Sequence, residues 1–386
     1  MTPHGAAGRD DAAGFLAPAY GGRSLGDVLP AVAHALGAGS AFARPGLELP
    51  PAPQYVVYLV DGLGADLLAA HADDAPYLHS LLAESSGPTG LTAGVPSTTA
   101  TSLTSLGTAL TPGEHGMIGF SSRIPGTDEL LFSLMWDERV DPEEWQPHPT
   151  AFARLQRAGV HTTVVNKAAF AGSGLTRIGF RGVPYVGVDD PADQVTGALA
   201  ALAEVPAVVY LYDSDLDATG HTHGCGSWQW RDQLAAIDLQ LEQLREALPP
   251  AVRILVVADH GMVDSPPESR LDVVARPDLL DGVRLFGGEA RFRQLYCRGG
   301  ATDDVLAAWR EAVGDRAEVL TRADAVARGW FGPVDAGVLT RVGDVLIAAR
   351  DDFTVVDTDR WSFEAQLVGF HGSLTPAEMR IPLLVA

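Results

Sequence analysis

The chain has little cysteine and lacks an export or membrane signal. Its two cysteines, Cys225 and Cys297, are too few for a disulfide framework and form no Cys-x-x-Cys pair. The opening residues, MTPHGAAGRDDAAGFLAPAY, carry acids where a secretory signal needs a basic start and then an apolar run. No later apolar run approaches membrane-spanning length. We therefore expect a soluble, cytoplasmic protein that does not contact a membrane.

Basic residues are also scarce. Lys and Arg number 27 against 49 Asp and Glu, which gives a formal net charge of −22. A protein with this net negative charge repels the backbone of duplex nucleic acid and an anionic membrane leaflet. If the chain acts on a phosphate, cations must be concentrated at the site, and bound metal ions are one way to achieve this.

The chain does contain enough apolar residues for a large core. It has 386 residues, of which 46% are hydrophobic and 20% charged, close to the values of ordinary globular domains. This length exceeds the size at which single cores usually stop growing, so we expect one large domain and a smaller one. No repeat of fixed period is visible in the sequence, which argues against a solenoid or a propeller.

Apolar, β-branched runs alternate with helical stretches through most of the chain. Four such runs are QYVVYLVDG, HTTVVNK, AVVYLYD and RILVVADHG. Strands that are apolar throughout and separated by helices are typical of βαβ units, in which helices cover both faces of a parallel sheet. The predicted fold class is α/β, with a mostly parallel central sheet and helices on both faces.

The pattern changes between about residues 280 and 356. The segments VRLFGG and ARFRQLYCR predict a hairpin, TDDVLAAWREAVG a helix, and GDVLIAAR and FTVVD two further strands. We therefore predict a main α/β domain over 1–279 and 357–386, with a small α+β cap domain inserted at 280–356. The final apolar run, IPLLVA, is expected to return to the main sheet.

Side chains that bind metal ions occur at four places where a strand ends or a loop follows. They are Asp61 in YLVDGLG, Asp217 and His221 in DLDATGHTH, Asp259 and His260 in VVADHG, and His371 in GFHGS. Ligands of a doubly wound sheet bind beyond the carboxyl ends of its strands. Asp217 and His221 are four apart, so one helical turn would put them on the same side. This spacing favours Asp217 over its neighbours Asp213 and Asp215.

Each of these residues alone has an ordinary explanation. An Asp-Gly after a strand is most often a turn, and a lone histidine is most often a hydrogen-bonded surface or core residue. Their joint occurrence is the stronger signal, and it indicates a metal site at the carboxyl edge of the sheet.

A hydroxyl-rich stretch, GVPSTTATSLTSLGTAL, precedes a Pro-Gly-Glu-His-Gly turn. It is typical of a capped helix, because Ser and Thr are common helix caps. It would also let one threonine oxygen point at the carboxyl edge of the sheet. A free hydroxyl is a poor nucleophile at neutral pH, but coordination to a divalent metal favours its alkoxide.

In its motif order the chain resembles the alkaline phosphatase superfamily, and within it the nucleotide pyrophosphatase/phosphodiesterase-like branch. The motifs are an early Asp, then Pro-Ser-x-Thr, Pro-x-x-His-Gly, Asp-x-x-x-His, Asp-His-Gly and a late His-Gly, and they extend from Tyr55 to the end of the chain. The resemblance implies that the main domain is catalytic and binds two zinc ions, although Asp and His also accept manganese or iron. One ion would be surrounded by Asp61, Thr99, Asp259 and His260, and the other by Asp217, His221 and His371.

The same resemblance implies that Thr99 is the nucleophile, and Thr98 is the alternative one step away. Phosphodiesterase members carry an Asn shortly after the nucleophile that donates to a phosphoryl oxygen, and Ser102 stands at that position here. We therefore predict that Ser102 binds the substrate. No Arg lies beside Thr99 like the one that clamps a monoester in alkaline phosphatases proper, and this favours diesters.

The implied function is hydrolysis of phosphodiester or nucleotide pyrophosphate bonds in a small phosphate ester, with nucleotides among the candidate substrates. Thr99 would attack phosphorus in line, and water would then hydrolyse a phospho-threonine intermediate. Two alternatives remain open: a phosphomonoesterase or phosphonate hydrolase with the same two metals, and a non-catalytic zinc- or nucleotide-binding relative. The oligomeric state is also open.

Overall fold

The computed structural model describes residues 14–84 and 90–386. Residues 1–13, which include most of the opening segment considered above, lie outside the described residues. Among the helices of the described part, none combines the length and the apolar character needed to cross a bilayer.

The strands of the described residues are named here in chain order. They are β1 (Gln54–Val60), β2 (Gly90–Thr92), β3 (Ser121–Arg123), β4 (Leu130–Phe132), β5 (His161–Lys167), β6 (Tyr185–Val188), β7 (Ala207–Asp213), β8 (Val252–Val257), β9 (Val263–Asp264), β10 (Arg270–Asp272), β11 (Val283–Glu289), β12 (Phe292–Cys297), β13 (Ala317–Thr321), β14 (Val345–Ala349), β15 (Thr354–Val356), β16 (Gly369–Phe370) and β17 (Arg380–Val385).

The α-helices are named in the same way. They are α1 (Val28–Ala35), α2 (Ala65–Ala70), α3 (Pro76–Glu84), α4 (Thr99–Thr108), α5 (Pro112–His115), α6 (Pro142–Trp145), α7 (Ala151–Arg157), α8 (Gly174–Phe180), α9 (Pro191–Ala201), α10 (Asp215–His223), α11 (Trp228–Ala247), α12 (Thr302–Val313), α13 (Arg322–Ala327), α14 (Ala336–Leu339) and α15 (Pro376–Met379).

The main sheet has seven strands in the order β2-β17-β8-β1-β7-β5-β6. Strand β1 is parallel to β7 and β8, and β5 is parallel to β6 and β7. Every residue of β1 and β7 is buried, as expected for strands covered on both faces. The predicted α/β fold is confirmed. The last strand, β17, returns to this sheet antiparallel to β8 and β2.

The helices around the main sheet form two groups. Helices α1, α4, α7 and α8 pack among themselves, while α11 packs against α3, α9 and α10. This division agrees with the predicted arrangement of helices on both faces of the sheet.

A second, antiparallel sheet has the order β11-β12-β14-β13 and lies within residues 280–356. Helix α12 covers it, and Trp309 of that helix stacks near Phe286 in a separate apolar core. The predicted hairpin, helix and strands of this region are all present. The boundaries of the inserted domain stay a prediction, because β15 leaves the small sheet and pairs with β10 instead.

A buried ion pair ties the small sheet to the main domain. Arg291 lies in the turn between β11 and β12, and its Nε and Nη2 donate to the two carboxylate oxygens of Glu378 at 2.7 and 2.8 Å. Both side chains are fully buried. Glu378 lies just before β17, which runs antiparallel to β8. The Arg291–Glu378 pair therefore holds the β11–β12 hairpin against the carboxyl edge of the main sheet.

Candidate metal centre

Thr99 begins helix α4 and points at the carboxyl edge of the main sheet. The preceding residue, Thr98, is extended (φ −137°, ψ 149°), so the chain turns into the helix at this point. Thr99 Oγ1 lies 3.2 Å from His260 Nε2 and 3.5 Å from Asp61 Oδ2. The Thr98 hydroxyl instead interacts with Glu289. Of the two adjacent threonines, Thr99 is therefore the one brought to the carboxylates and imidazoles.

Helix α4 is buried along its whole length although it is rich in hydroxyls. Thr104 and Thr108 donate to the carbonyls four residues earlier at 2.7 Å, and Ser105 is hydrogen-bonded to the buried His115 at 2.9 Å. These bonds satisfy three of the hydroxyls without solvent, while the Thr101 hydroxyl is buried without a partner among the described residues. The helix can therefore pack tightly and hold Thr99 in a fixed place at its N-terminus.

Three residues at strand ends form what we call the buried cluster: Asp61, Asp259 and His260. His260 Nε2 lies 3.4 Å from Asp61 Oδ1 and 3.3 Å from Asp259 Oδ2. Asp61 directly follows β1 and Asp259 follows β8, and these are neighbouring parallel strands. Their carboxyl ends therefore meet at one edge, as the sequence predicted.

Gly62 allows the acidic side chains to pack closely at this edge of the sheet. Its φ of +74° is readily available only to glycine, and a β-carbon there would lie 3.2 Å from Asp217. The Gly62 N–H donates to Asp259 Oδ1 at 3.1 Å. The Asp-Gly turn after β1 thus fixes one oxygen of Asp259 and leaves room for Asp217.

A second cluster consists of Asp217, His221 and His371. Asp217 and His221 stand one turn apart on α10, with Oδ2 and Nε2 separated by 3.3 Å. His371 follows β16, whose antiparallel pairing with β9 brings it beside the residues that follow β8. Its Nε2 lies 3.8 Å from Asp217 Oδ1. The potential ligand atoms within each cluster all lie within 4.8 Å of one another.

Backbone carbonyls orient all three histidines. His260 Nδ1 is 3.0 Å from the Gly261 oxygen, His221 Nδ1 is 2.8 Å from the Gly369 oxygen, and His371 Nδ1 is 2.9 Å from the Ser97 oxygen. Because a carbonyl only accepts, each Nδ1 carries a proton and donates it. This leaves Nε2 of each ring directed at its cluster, which is how metal-binding histidines are usually held.

The carboxylates leave oxygens that the protein itself does not satisfy. Asp61 Oδ1, Asp217 Oδ1 and Asp259 Oδ2 are buried without a hydrogen-bond donor among the described residues. Burial, and then the charges of Asp259 and Asp217, raise the pKa of Asp61 well above its usual range. Three unpaired carboxylate oxygens facing three imidazole lone pairs fit divalent cations, since Asp and His are common zinc ligands.

Charge balance supports two ions rather than one. Two divalent cations would bring four positive charges, against three aspartates and one threonine alkoxide. Burial, and then the nearby His260 and His221, lower the pKa of His371 well below its usual value, so this ring stays a neutral ligand.

Other acids of the α10 region lie outside both clusters. Asp213 Oδ1 accepts from the Asp215 N–H at 2.8 Å, and Asp215 itself forms an ion pair with Lys167. Ser102 is fully buried, and its hydroxyl donates to the Asp259 carbonyl at 2.8 Å. Its proton is therefore used inside the protein, where it fixes the end of β8, and substrate binding by Ser102 stays a prediction.

Two residues that the sequence did not single out also reach the site. Tyr212 on β7 donates a short hydrogen bond to Asp61 Oδ2, and Glu289 at the end of β11 borders the second cluster. A tyrosine that alternates with apolar residues in a wholly buried strand was the available signal for Tyr212, because a buried hydroxyl needs a partner. No feature of the sequence around Glu289 indicated that it would lie at the site.

Thr99 and Asp217 line two cavities. The larger, about 940 Å³, extends past Trp136, Phe170 and Arg177. The smaller, about 250 Å³, lies against His221, His371, Phe363 and Glu289. A group bound between Thr99 and Asp217 therefore has space on two sides.

The fold and the two clusters define a hydrolase of the alkaline phosphatase superfamily. Residues 55–374 match the family described as type I phosphodiesterase / nucleotide pyrophosphatase. This match covers most of the chain, which therefore belongs to that family and to the phosphoric ester hydrolases. The resemblance found in the sequence is thus confirmed.

Solved structures of low sequence identity have the same fold. Murine ectonucleotide pyrophosphatase / phosphodiesterase 5, an inactive variant in complex with AMP, is 19% identical with a TM-score of 0.66, over 86% of this chain and 87% of that one. Phosphonoacetate hydrolase from Sinorhizobium meliloti 1021, in complex with phosphonoformate, is 19% identical with a TM-score of 0.64, over 87% and 90% of the two chains. A search of curated proteins finds no match.

Proposed function

We propose that the protein hydrolyses phosphodiester or nucleotide pyrophosphate bonds, with Thr99 as the nucleophile and two zinc ions as cofactors. The observation that carries this proposal is the position of Thr99 Oγ1, 3.2 Å from His260 Nε2 and beside the unpaired oxygens of the two clusters. Asp61, Asp259 and His260 would hold one ion with Thr99, and Asp217, His221 and His371 the other. The bound ions would favour the ionised threonine and offset charge on the attacking and leaving oxygens.

The protein groups orient the reacting atoms. Thr99 Oγ1 attacks phosphorus, a new O–P bond forms, and the ester oxygen leaves with its substituent. Water then cleaves the phospho-threonine, which releases the phosphate product and restores the hydroxyl. The first-turn N–H groups of α4 have no intrahelical acceptor, so the helix N-terminus favours the negative phosphoryl oxygens.

The two cavities support a diester over a monoester. A phosphate between Thr99 and Asp217 can place one ester group in the larger cavity and the other in the smaller one. A monoester would leave one of them without an organic substituent. The larger cavity has the volume of typical small-ligand sites, about 300–1,000 Å³, and is lined by aromatic residues that suit a nucleoside.

The test is an assay panel on protein stripped with a chelator and reloaded with zinc, manganese or magnesium. The substrates are bis(4-nitrophenyl) phosphate, 4-nitrophenyl thymidine monophosphate, 4-nitrophenyl phosphate and phosphonoacetate. We expect the two diesters to be turned over at least about tenfold faster than the other two, with zinc the best metal. Preference for the monoester or the phosphonate would support the second candidate, and metal binding without any turnover would support a non-catalytic role.

A further inference from the structure

The smaller cavity has an unusual lining for a site that handles phosphate. It is bordered by Phe120, Phe363 and Phe370, by the carboxyl groups of Glu289 and Glu364, and by Asp217, His221 and His371 of the second cluster. Among the described residues that line it, none is a lysine or an arginine. An anionic or strongly polar substituent would find no charged partner there outside the metal centre.

Glu289 has one unpaired carboxyl oxygen in this cavity, although the Phe120 N–H and the Thr98 hydroxyl interact with the group. Its residue is only 7% exposed, and its Oε2 accepts the Phe120 N–H at 2.7 Å. Its Oε1 is buried without a hydrogen-bond donor among the described residues. Burial raises the pKa of Glu289 to about 8, although the Phe120 N–H and Arg293 act in the opposite direction. A buried carboxyl of this kind gains most from a cationic or N–H-bearing ligand.

The second carboxyl group of the cavity is already neutralised. Arg293 Nη2 lies 2.6 Å from each oxygen of Glu364, and the Asp357 N–H donates to the same carboxylate at 3.0 Å. Arg293 is also stacked over Trp361 and Phe286. Both oxygens of Glu364 are thus bonded, although Arg293 Nη1 is itself buried without an acceptor among the described residues. Of the two glutamates in this cavity, only Glu289 has an unpaired oxygen.

Gly372 allows Glu289 to come this close to the centre. Its φ is +131°, and a β-carbon there would lie 2.6 Å from Glu289 Cγ. The carboxyl is therefore wedged against the residue that follows His371. It reaches the cavity from the small sheet, while the candidate ligands come from the main sheet.

Aromatic rings supply the walls. The rings of Phe120 and Phe363 have centroids 6.2 Å apart and planes inclined at 65°, and Phe132 stands 5.8 Å from Phe120 on its other side. Phe363 is 41% exposed, so this side of the cavity is accessible from solvent. Phenyl faces attract a desolvated cation, and a carboxylate among such rings is the usual arrangement for substituted ammonium groups.

We propose that the smaller cavity binds an alkylammonium group of the substrate, with Glu289 as its carboxylate anchor and Phe120 and Phe363 as its walls. This inference rests on the proposed function and names its substrate class: phosphodiesters in which one ester group is an amino alcohol of the ethanolamine or choline type. The cavity of about 250 Å³ is below the usual size of drug-sized ligand sites but adequate for such a group. The net charge of −22 disfavours substrates with a net negative charge, and an ammonium group offsets the negative charge of the phosphodiester.

The experiment compares two esters that differ only in charge. They are 4-nitrophenyl phosphocholine and 4-nitrophenyl 3,3-dimethylbutyl phosphate, in which a carbon atom replaces the nitrogen. Chromatography of the products counts cleavage of either ester bond. We expect the zinc-loaded protein to have a kcat/KM at least about tenfold higher for the choline ester. The dimethylbutyl ester, whose alkyl group carries no charge, reports on the phosphodiesterase activity itself.

Variants then test the named residues. Glu289→Gln keeps the shape of the side chain and removes its ability to ionise beside a bound cation, and we expect it to reduce the ratio of the two kcat/KM values to within about threefold of one. Glu268→Gln, an exposed glutamate outside the cavity, is the matched control and should keep the ratio. Phe363→Leu, at a partly exposed position that tolerates change, should lower the ratio about threefold or more.

The outcomes separate the two proposals. If neither ester is hydrolysed, the proposed function fails. If the dimethylbutyl ester is hydrolysed and the ratio is near one, or if Glu289→Gln leaves a high ratio unchanged, the ammonium site is overturned while the phosphodiesterase stands. An equal loss on both esters in Glu289→Gln would also overturn it, because Glu289 would then act on the phosphate they share.

Discussion

His260 and His371 lie face to face, with ring centroids 3.6 Å apart and planes only 12° from parallel. His260 belongs to the buried cluster and His371 to the second cluster, so the two clusters are in contact through these stacked rings. Two charged imidazolium rings at this distance would repel each other strongly. The stack therefore disfavours charge on both rings at once, and the lowered pKa of His371 keeps that ring neutral. The two Nε2 atoms belong to different ligand sets.

Replacing one ligand should remove one ion and leave the other. We expect the unchanged chain to bind two zinc ions and Asp217→Asn to bind about one, because the buried cluster does not depend on Asp217 for its ligands. Metal content after dialysis, measured by elemental mass spectrometry, checks this. Asp215→Asn is the control on the same helix and should retain both ions, since Asp215 pairs with Lys167. Two ions in Asp217→Asn would contradict the assignment of the second cluster.

Thr99 and Thr98 are adjacent but should differ sharply in their effect on turnover. Thr99→Ala removes the proposed nucleophile, and we expect kcat for bis(4-nitrophenyl) phosphate to fall by about 10³-fold or more. Thr99→Ser keeps a hydroxyl at the same atom position and should recover most of that loss. Thr98→Ala should cost less than about tenfold, because Thr98 forms no side-chain cap of α4. A larger loss in Thr98→Ala than in Thr99→Ala would make Thr98 the nucleophile.

Two tyrosines of β7 offer a matched pair around Asp61. Tyr212 donates to Asp61 Oδ2, while the Tyr210 hydroxyl is buried without a partner among the described residues. Burial, and then Asp61, raise the pKa of Tyr212 well above its usual value, so it remains a donor at neutral pH. We expect Tyr212→Phe to weaken zinc binding by about 10- to 100-fold, since second-layer bonds orient metal ligands.

The Tyr210→Phe variant removes a hydroxyl that makes no hydrogen bond. It should leave zinc affinity unchanged, and it should raise the free energy of unfolding or alter it by less than about 1 kcal/mol. Competition with a chromophoric chelator measures affinity in both variants, and urea unfolding measures stability. Equal zinc affinities in the two variants would mean that the bond from Tyr212 does not orient Asp61.

Much of the fold was predictable because short β-branched apolar runs such as residues 54–60, separated by helical stretches, are typical of buried parallel strands. The return of the final run to the main sheet and the hairpin of the small sheet were predictable for the same reason. The order of the strands was not, because β17 enters between β2 and β8 through pairings of residues far apart in the sequence. The cytoplasmic location remains a prediction.

The candidate ligands were predictable from their residue types and from the motif order, since each follows a strand or shares a helix turn. The role given to Ser102 was less secure, because sequence position does not say that its hydroxyl would be used by the Asp259 carbonyl. Glu289 was not predictable at all. It belongs to the small sheet, and only the packing of the β11–β12 hairpin on the main domain brings it to the second cluster.

Glu289 should also leave a signature in stability against pH. Its pKa of about 8 in the folded chain exceeds the ordinary value of 4.5. Between these two values the folded chain holds a proton that the unfolded chain releases, so the contribution of Glu289 to stability falls as the pH rises from about 5 to 8. In Glu289→Gln this side chain does not titrate, so the variant does not undergo this fall in stability. The free energy of unfolding of Glu289→Gln, relative to the unchanged chain, should therefore increase over this range by a few kcal/mol, on the order expected for the shift.

Urea unfolding of the chelated proteins at pH 5, 6, 7 and 8 measures this difference, with Glu268→Gln as the exposed control. The control should follow the unchanged chain at every pH, because Glu268 is exposed and lies outside the cavity. A difference between Glu289→Gln and the unchanged chain that stays constant from pH 5 to 8 would mean that Glu289 is ionised in the folded state without any ligand. In that case an internal partner would already satisfy the carboxylate, and the cavity would have no need of an ammonium group.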